Sequence, residues 1–178
     1  MSGGNFRACL SGAVAAITTV AMSACQNAGD LFPSLGTGPN FEAKLQPAGG
    51  STLTGAAIVR AYDGGVMVTM NFNGRGPGGY RAAIHANGNC KSYNGFGAGP
   101  PWAPPGVTIV TPIIYKNDDS ASLVARFPGY RMEGPDGVVG RSVVIHSGTS
   151  GSLEAEPSVP NNRIGCGVIG VPQSLFTE

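Results

Sequence analysis

Two short runs hold both histidines of this chain and the two cysteines that lie outside its N-terminal region. Tyr80 to Cys90 reads Tyr-Arg-Ala-Ala-Ile-His-Ala-Asn-Gly-Asn-Cys and carries His85 with Cys90 five residues on; Gly140 to Gly170 carries His146 and Cys166. Two imidazoles can hold copper weakly, or Cu(I) in a two-coordinate site, whereas a structural zinc site usually takes four Cys or His ligands. The competing reading is that each histidine is a hydrogen-bonded structural residue. Hydrolase chemistry has little support, because Ser142 and Ser147 beside His146 lack a nucleophile elbow and Gly148-Thr149-Ser150-Gly151 stands in the wrong context for one. The glycines of Gly74-Arg75-Gly76 and Gly78-Gly79 lie between strands with no helix following, so they read as turn residues and not as a phosphate cradle.

The elements that must position these residues are short strands. Phe41 to Gln46, Thr52 to Tyr62, Val66 to Phe72, Tyr80 to His85, Val107 to Tyr115, Ala121 to Phe127, Arg141 to His146 and Ile164 to Val171 are apolar or alternating runs bounded by Gly, Pro, Asn and Asp. Val66, Val68, Met70 and Phe72 fall on one face of the third run. Asp63-Gly64 predicts a type I′ hairpin turn, which needs positive φ, and Lys116 to Asp119 predicts another hairpin. Lys91 to Gly106, KSYNGFGAGPPWAPPG, holds four prolines and the single Trp102, so it reads as a stiff surface loop and not as an interior strand. About eight strands without a helix predict an all-β sandwich or Greek-key barrel.

Composition agrees. Charged residues make up 12% of the 178, apolar residues 42%, and 29 Gly with 14 Pro mark a chain of many turns. Residues 1–24 read as a signal peptide with Arg7 ahead of the small apolar run Leu10 to Ala24. Ala24 before Cys25, with Met22 and Ser23 upstream, resembles a bacterial lipobox, although Leu is usual where Met22 stands; the alternative is an ordinary signal cleaved near Ala24. On the first reading Cys25 takes a lipid, residues 25–40 form the anchor and flexible tether, and the protein reaches the periplasm or cell surface as a lipoprotein. Of the 11 Lys and Arg only Arg7 lies in residues 1–24, which leaves 10 against 10 Asp and Glu. That balance gives no electrostatic reason to expect nucleic acid. With Cys9 removed and Cys25 acylated, Cys90 and Cys166 remain as one pair, for which a disulfide is the default in an oxidising compartment.

Placed side by side, the two runs resemble the copper/zinc superoxide dismutases, in particular the exported bacterial type. That family carries His-x-His on a strand, then Glu-x-Gly and a Cys five residues after the second histidine; Ala83-Ile84-His85-Ala86-Asn87-Gly88-Asn89-Cys90 keeps the second histidine, the glycine and the cysteine. The family's Gly-Arg-x-Val-Val-His is matched, with one extra residue, by Gly140-Arg141-Ser142-Val143-Val144-Ile145-His146, and its Arg-x-x-Cys-Gly-Val-Ile-Gly by Arg163-Ile164-Gly165-Cys166-Gly167-Val168-Ile169-Gly170. The resemblance implies an eight-stranded Greek-key β-barrel over residues 41–178 with one intrachain disulfide between Cys90 and Cys166. It places His85 and His146 on two copper ligands and Arg163 on the residue that guides superoxide to the metal.

The departures are equally specific. Ala83 stands where the family has a copper-ligand histidine, and Gly99-Pro100-Pro101 where it has Gly-Pro-His. A complete family site needs six histidines and an aspartate, and this chain has two histidines. The resemblance therefore implies a superoxide dismutase-like protein with the zinc site lost, no zinc bound, the copper site degenerate and dismutase activity low or absent. Whether it is an enzyme is left open. The alternatives are a copper-dependent dismutase or copper-binding protein using His85 and His146, with superoxide as substrate, and a non-catalytic binding module whose best contact feature is the Trp102 loop.

Overall fold

The structure, a computed structural model, describes residues 38–150, 153 and 162–171. The signal segment, Cys25 and most of the 25–40 tether lie outside the described residues. Eight strands follow in order: β1 Phe41–Pro47, β2 Thr54–Tyr62, β3 Gly65–Asn73, β4 Gly78–His85, β5 Ile113–Lys116, β6 Ser120–Pro128, β7 Ser142–Ser147 and β8 Arg163–Gly170. All neighbouring pairs are antiparallel, in the order β5-β4-β7-β8-β1-β2-β3-β6, and the sheet curls into a nearly closed barrel. The steps from β3 to β4 and from β6 to β7 pass over strands that lie between them, which is the Greek-key connection. One short 3₁₀ turn, Phe96–Ala98, is the only helical piece among the described residues, and none of their helices is long and apolar enough to cross a membrane.

Alternation along each strand fills the barrel. Phe41, Ala43 and Leu45 of β1, Val66, Val68, Met70 and Phe72 of β3, Tyr80, Ala82 and Ile84 of β4, Ala125 and Phe127 of β6, and Val143 and Ile145 of β7 all face one buried cluster. This is the period of two expected of a sheet with one face on the core. The Phe72 and Tyr80 rings meet edge to face at 5.8 Å, and the Tyr80 hydroxyl donates to the carbonyls of Arg75 and Gly76.

Three details differ from the sequence reading. The Asp63-Gly64 hairpin forms, pairing Tyr62 with Gly65, yet of its two turn residues only Gly64 has positive φ, at 89°, so the turn is not type I′. The run from Val107 contributes strand only from Ile113: Pro112 has no N–H to donate, and its carbonyl instead accepts from the Ala82 amide. The proline loop, although it contains no regular strand, docks beside the end of β4 by backbone bonds. Ala86 N–H donates to Pro100 O, Trp102 N–H donates to Ile84 O, and His85 forms an isolated antiparallel bridge with Pro101.

Candidate functional site

The histidines do not point into the barrel. In β4 the core residues are Tyr80, Ala82 and Ile84, so Arg81, Ala83 and His85 take the outer face, and in β7 Ser142, Val144 and His146 do the same. The ladder pairs Arg81 with His146, Ala83 with Val144 and His85 with Ser142. Both histidines thus stand on one outer surface, four positions apart in register, roughly 13 Å along the strands. Their side chains lean toward each other over Ala83, and Nε2 of His85 comes within 3.0 Å of Nε2 of His146. The rings are stacked, with centroids 5.2 Å apart and planes inclined at 22°.

An outer face with a histidine pair would ordinarily be wet, but this one is roofed. Residues 91–101 cross it, and Ala98 packs with Val144, Cys166 and Cys90 in a second small apolar cluster. Cys90 and Cys166 are joined in a disulfide with their Cα atoms 5.5 Å apart, which ties the loop after β4 to β8. His85, His146 and Arg163 are all fully buried.

The far side of each ring is anchored. His85 Nδ1 donates to the Gly99 carbonyl at 2.9 Å, and His146 Nδ1 lies 3.1 Å from Asn162 Oδ1. Burial pushes both imidazoles well below their ordinary range, His85 to about 3 and His146 to about 4; the hydrogen bonds to Gly99 and Asn162 oppose this, and the Arg163 cation adds to it. The pair is therefore neutral at pH 7, with lone pairs to offer. Fixing one ring nitrogen on an oxygen partner while the other stays available is the arrangement that orients histidine ligands of metals.

Arg163, expected to guide an anion, lies beside this pair and lowers the affinity of both rings for protons. Its guanidinium is turned into protein: Nη1 donates to Gly95 O at 3.0 Å, Nη2 to Leu153 O at 3.4 Å, and the group sits 5.5 Å from the Phe96 ring. Trp102 is half-buried. Its ring carries the Arg141 guanidinium at 3.5 Å and meets Tyr130 edge to face at 5.8 Å, so it braces the loop from within. Arg141 also donates to the carbonyls of Gly137 and Pro135 within its own loop between β6 and β7 and to that of Ala86, joining this loop to the connection that leaves β4.

The donor set suits copper in part. Two imidazole nitrogens converge, but among the described residues no group of three or more His, Cys, Asp or Glu is placed to hold a metal ion. The residues fit a two-nitrogen site for a soft, low-coordinate ion and do not fit the family's full dinuclear centre. Sequence reasoning found His85, His146, Arg163 and the cysteines. It missed Asn162 and the carbonyls of Gly95 and Gly99, for which a Gly/Pro-rich sequence carries no signal.

The barrel, its strand order and its disulfide define an all-β Greek-key domain consistent with the copper/zinc superoxide dismutase type. Compared with models of known protein families and with curated proteins, the chain matches none.

Proposed function

We propose that this chain is an exported, superoxide dismutase-like barrel protein in which the zinc site is lost and the copper site is reduced to His85 and His146, with dismutase activity low or absent. The observation that supports it is the pair of Nε2 atoms 3.0 Å apart, each ring anchored on its far side and held neutral. Copper bound there would supply one-electron chemistry. The protein's own contribution is to present two neutral imidazoles, exclude water by burial and keep the Arg163 cation alongside. Two ligands give little control of a redox potential, which is why turnover is expected to be low. Export and a lipid on Cys25 belong to the same reading and rest on the sequence of residues 1–25.

The test is an anaerobic Cu(I) titration of the wild type, His85→Ala and His146→Ala, with a dismutase assay on the copper-loaded protein. The reading expects about one Cu(I) per wild-type chain, binding lost in both variants, and activity far below that of a complete copper/zinc enzyme. Equal copper binding by all three proteins, or full activity with one copper and one zinc per chain, would overturn it.

A further inference from the structure

Three asparagines of this chain precede glycine: Asn73-Gly74, Asn87-Gly88 and Asn94-Gly95. In such a pair the glycine nitrogen can attack the side-chain amide carbon, because no Cβ hinders the approach, provided that its N–H is not already engaged in a hydrogen bond. The fold separates the three. Gly74 N–H donates to Asp119 O at 3.2 Å, Gly95 N–H donates to Ser92 O at 2.9 Å, and Asn94 Oδ1 accepts from the Phe96 amide. Gly88 N–H has no acceptor among the described residues, and Asn87 and Gly88 are both exposed. The Asn87 side chain makes one hydrogen bond among those residues, from Nδ2 to Gly97 O, and at 3.3 Å on the surface it is a weak one. The backbone of the pair is meanwhile held: Asn87 N–H donates to Ala98 O at 2.9 Å, and Ser142 Oγ–H donates to Asn87 O at 2.7 Å. That last bond falls on the oxygen of the same peptide group whose nitrogen must attack. As the Gly88 nitrogen gives up its proton, negative charge spreads onto Asn87 O, where the hydroxyl of the buried Ser142 already stands to stabilise it.

We propose that Asn87 is a self-modification site whose side-chain amide is lost as ammonia with the help of the Ser142 hydroxyl, and that its conversion unfastens the loop roofing the histidine pair. The Gly88 nitrogen bonds to Asn87 Cγ, the Cγ–Nδ2 bond breaks, and the Gly88 proton leaves on the departing ammonia. The five-membered succinimide that results adds water at either carbonyl and opens to aspartate or to isoaspartate. Overall one water is consumed and one ammonia released, with no oxidant or metal. Aspartate replaces the donor that met Gly97 O by a carboxylate, which repels that carbonyl. Isoaspartate also inserts a methylene into the main chain between Asn87 N–H, which pairs with Ala98 O, and Gly88, which passes too close to the Gly140 carbonyl to leave room for a Cβ. Both changes fall where residues 96–99 are tied down beside the end of β4. Neither depends on the copper reading above.

The experiment incubates the full-length, metal-free protein at neutral pH in ¹⁸O-water, native and in urea, and follows the three sites by mass. Trypsin, cutting after Arg75, Arg81 and Lys91, puts Asn73, Asn87 and Asn94 on separate peptides, and conversion shows as the amide-to-acid mass gain with ¹⁸O incorporated. In the native protein Asn87 should convert at least about tenfold faster than Asn73 or Asn94, since an N–H held in a hydrogen bond reacts only after local opening. In urea the three should convert at similar rates, because a glycine follows each. Ser142→Ala should slow native conversion at Asn87 by about tenfold, the effect of one hydrogen bond to a developing charge, and leave the urea rates unchanged. The converted fraction, separated by its added negative charge, should unfold at a lower urea midpoint than the unconverted one. Asn73 or Asn94 keeping pace with Asn87 in the native protein, a native Asn87 rate unmoved by Ser142→Ala, or a converted fraction as stable as the unconverted one overturns the proposal. Should Ser142→Ala fail to fold, the comparison of the three sites in the native wild type still decides.

Discussion

Replacing Cys90 and Cys166 together by alanine should remove about 4.5 kcal/mol of stability. The bond closes a loop with a sequence separation of 76, and the chain-entropy relation assigns a loop of that length about 15 cal/mol/K of restricted unfolded-state entropy. Local packing adds a smaller loss, since Cys166 is buried against Ala98 and Val144. For a domain of this size the melting temperature should fall by roughly 15 °C. The measurement is urea unfolding of the oxidised wild type and the double variant, followed both by Trp102 fluorescence and by far-ultraviolet circular dichroism, so that agreement of the two probes tests two-state behaviour. Reduction of the wild type is a weaker test, because a reductant also acts on any bound copper. A double variant within about 1 kcal/mol of the wild type would refute the argument, since restriction of the unfolded chain is present whatever the native contacts do.

The metal-free protein should lose stability in acid in a window set by its histidines. Unfolded imidazoles take up protons near pH 6.5 while the folded pair resists to about 4 and about 3, so the unfolded state binds more protons in between and stability falls as pH falls through that range. Unfolding free energies from urea titrations at pH 7 and 4.5 should differ by on the order of 5 kcal/mol, and His85→Gln/His146→Gln should flatten that difference. Arg141→Ala removes the Trp102 stack and three carbonyl contacts, and should cost about 2–3 kcal/mol and shift Trp102 emission to the red. Arg141→Lys should recover less than half of that, because an ammonium lacks the planar fork. Gly88→Ala would drive a Cβ into the Gly140 carbonyl oxygen and close to Val168, so it should destabilise by about 1–3 kcal/mol in the same unfolding assay.

Much of the fold was legible because strands write their burial into every second residue. Val66, Val68, Met70 and Phe72 declared the core face of β3 without any knowledge of its neighbours, and in β4 the structure places Tyr80, Ala82 and Ile84 on the core face in the same way. The same alternation put His85 and Ala83 on the other face, where polarity would normally mean solvent. That His85 and His146 are instead buried could not be read, since it depends on the loop of residues 91–102 docking across the sheet through Gly99, Pro100 and Trp102. The Val107 run shows the opposite limit: it has strand composition, but Pro112 and its place next to Ala82 reduce it to four residues.

By itself, then, the sequence determined the residue inventory and the periodicity: two histidines, one cysteine pair outside the N-terminal region, eight strands, and the resemblance carried by His85, Cys90, His146 and Arg163 to Gly170. Only the tertiary structure decided that the two rings meet at 3.0 Å, that each is anchored by an oxygen from a distant loop, and that both are stripped of water. The physical reason is that residue identity fixes which donors exist, whereas proton position and cation affinity depend on distances and burial. Those are set by backbone carbonyls such as Gly99 O, which every residue carries and no sequence pattern distinguishes.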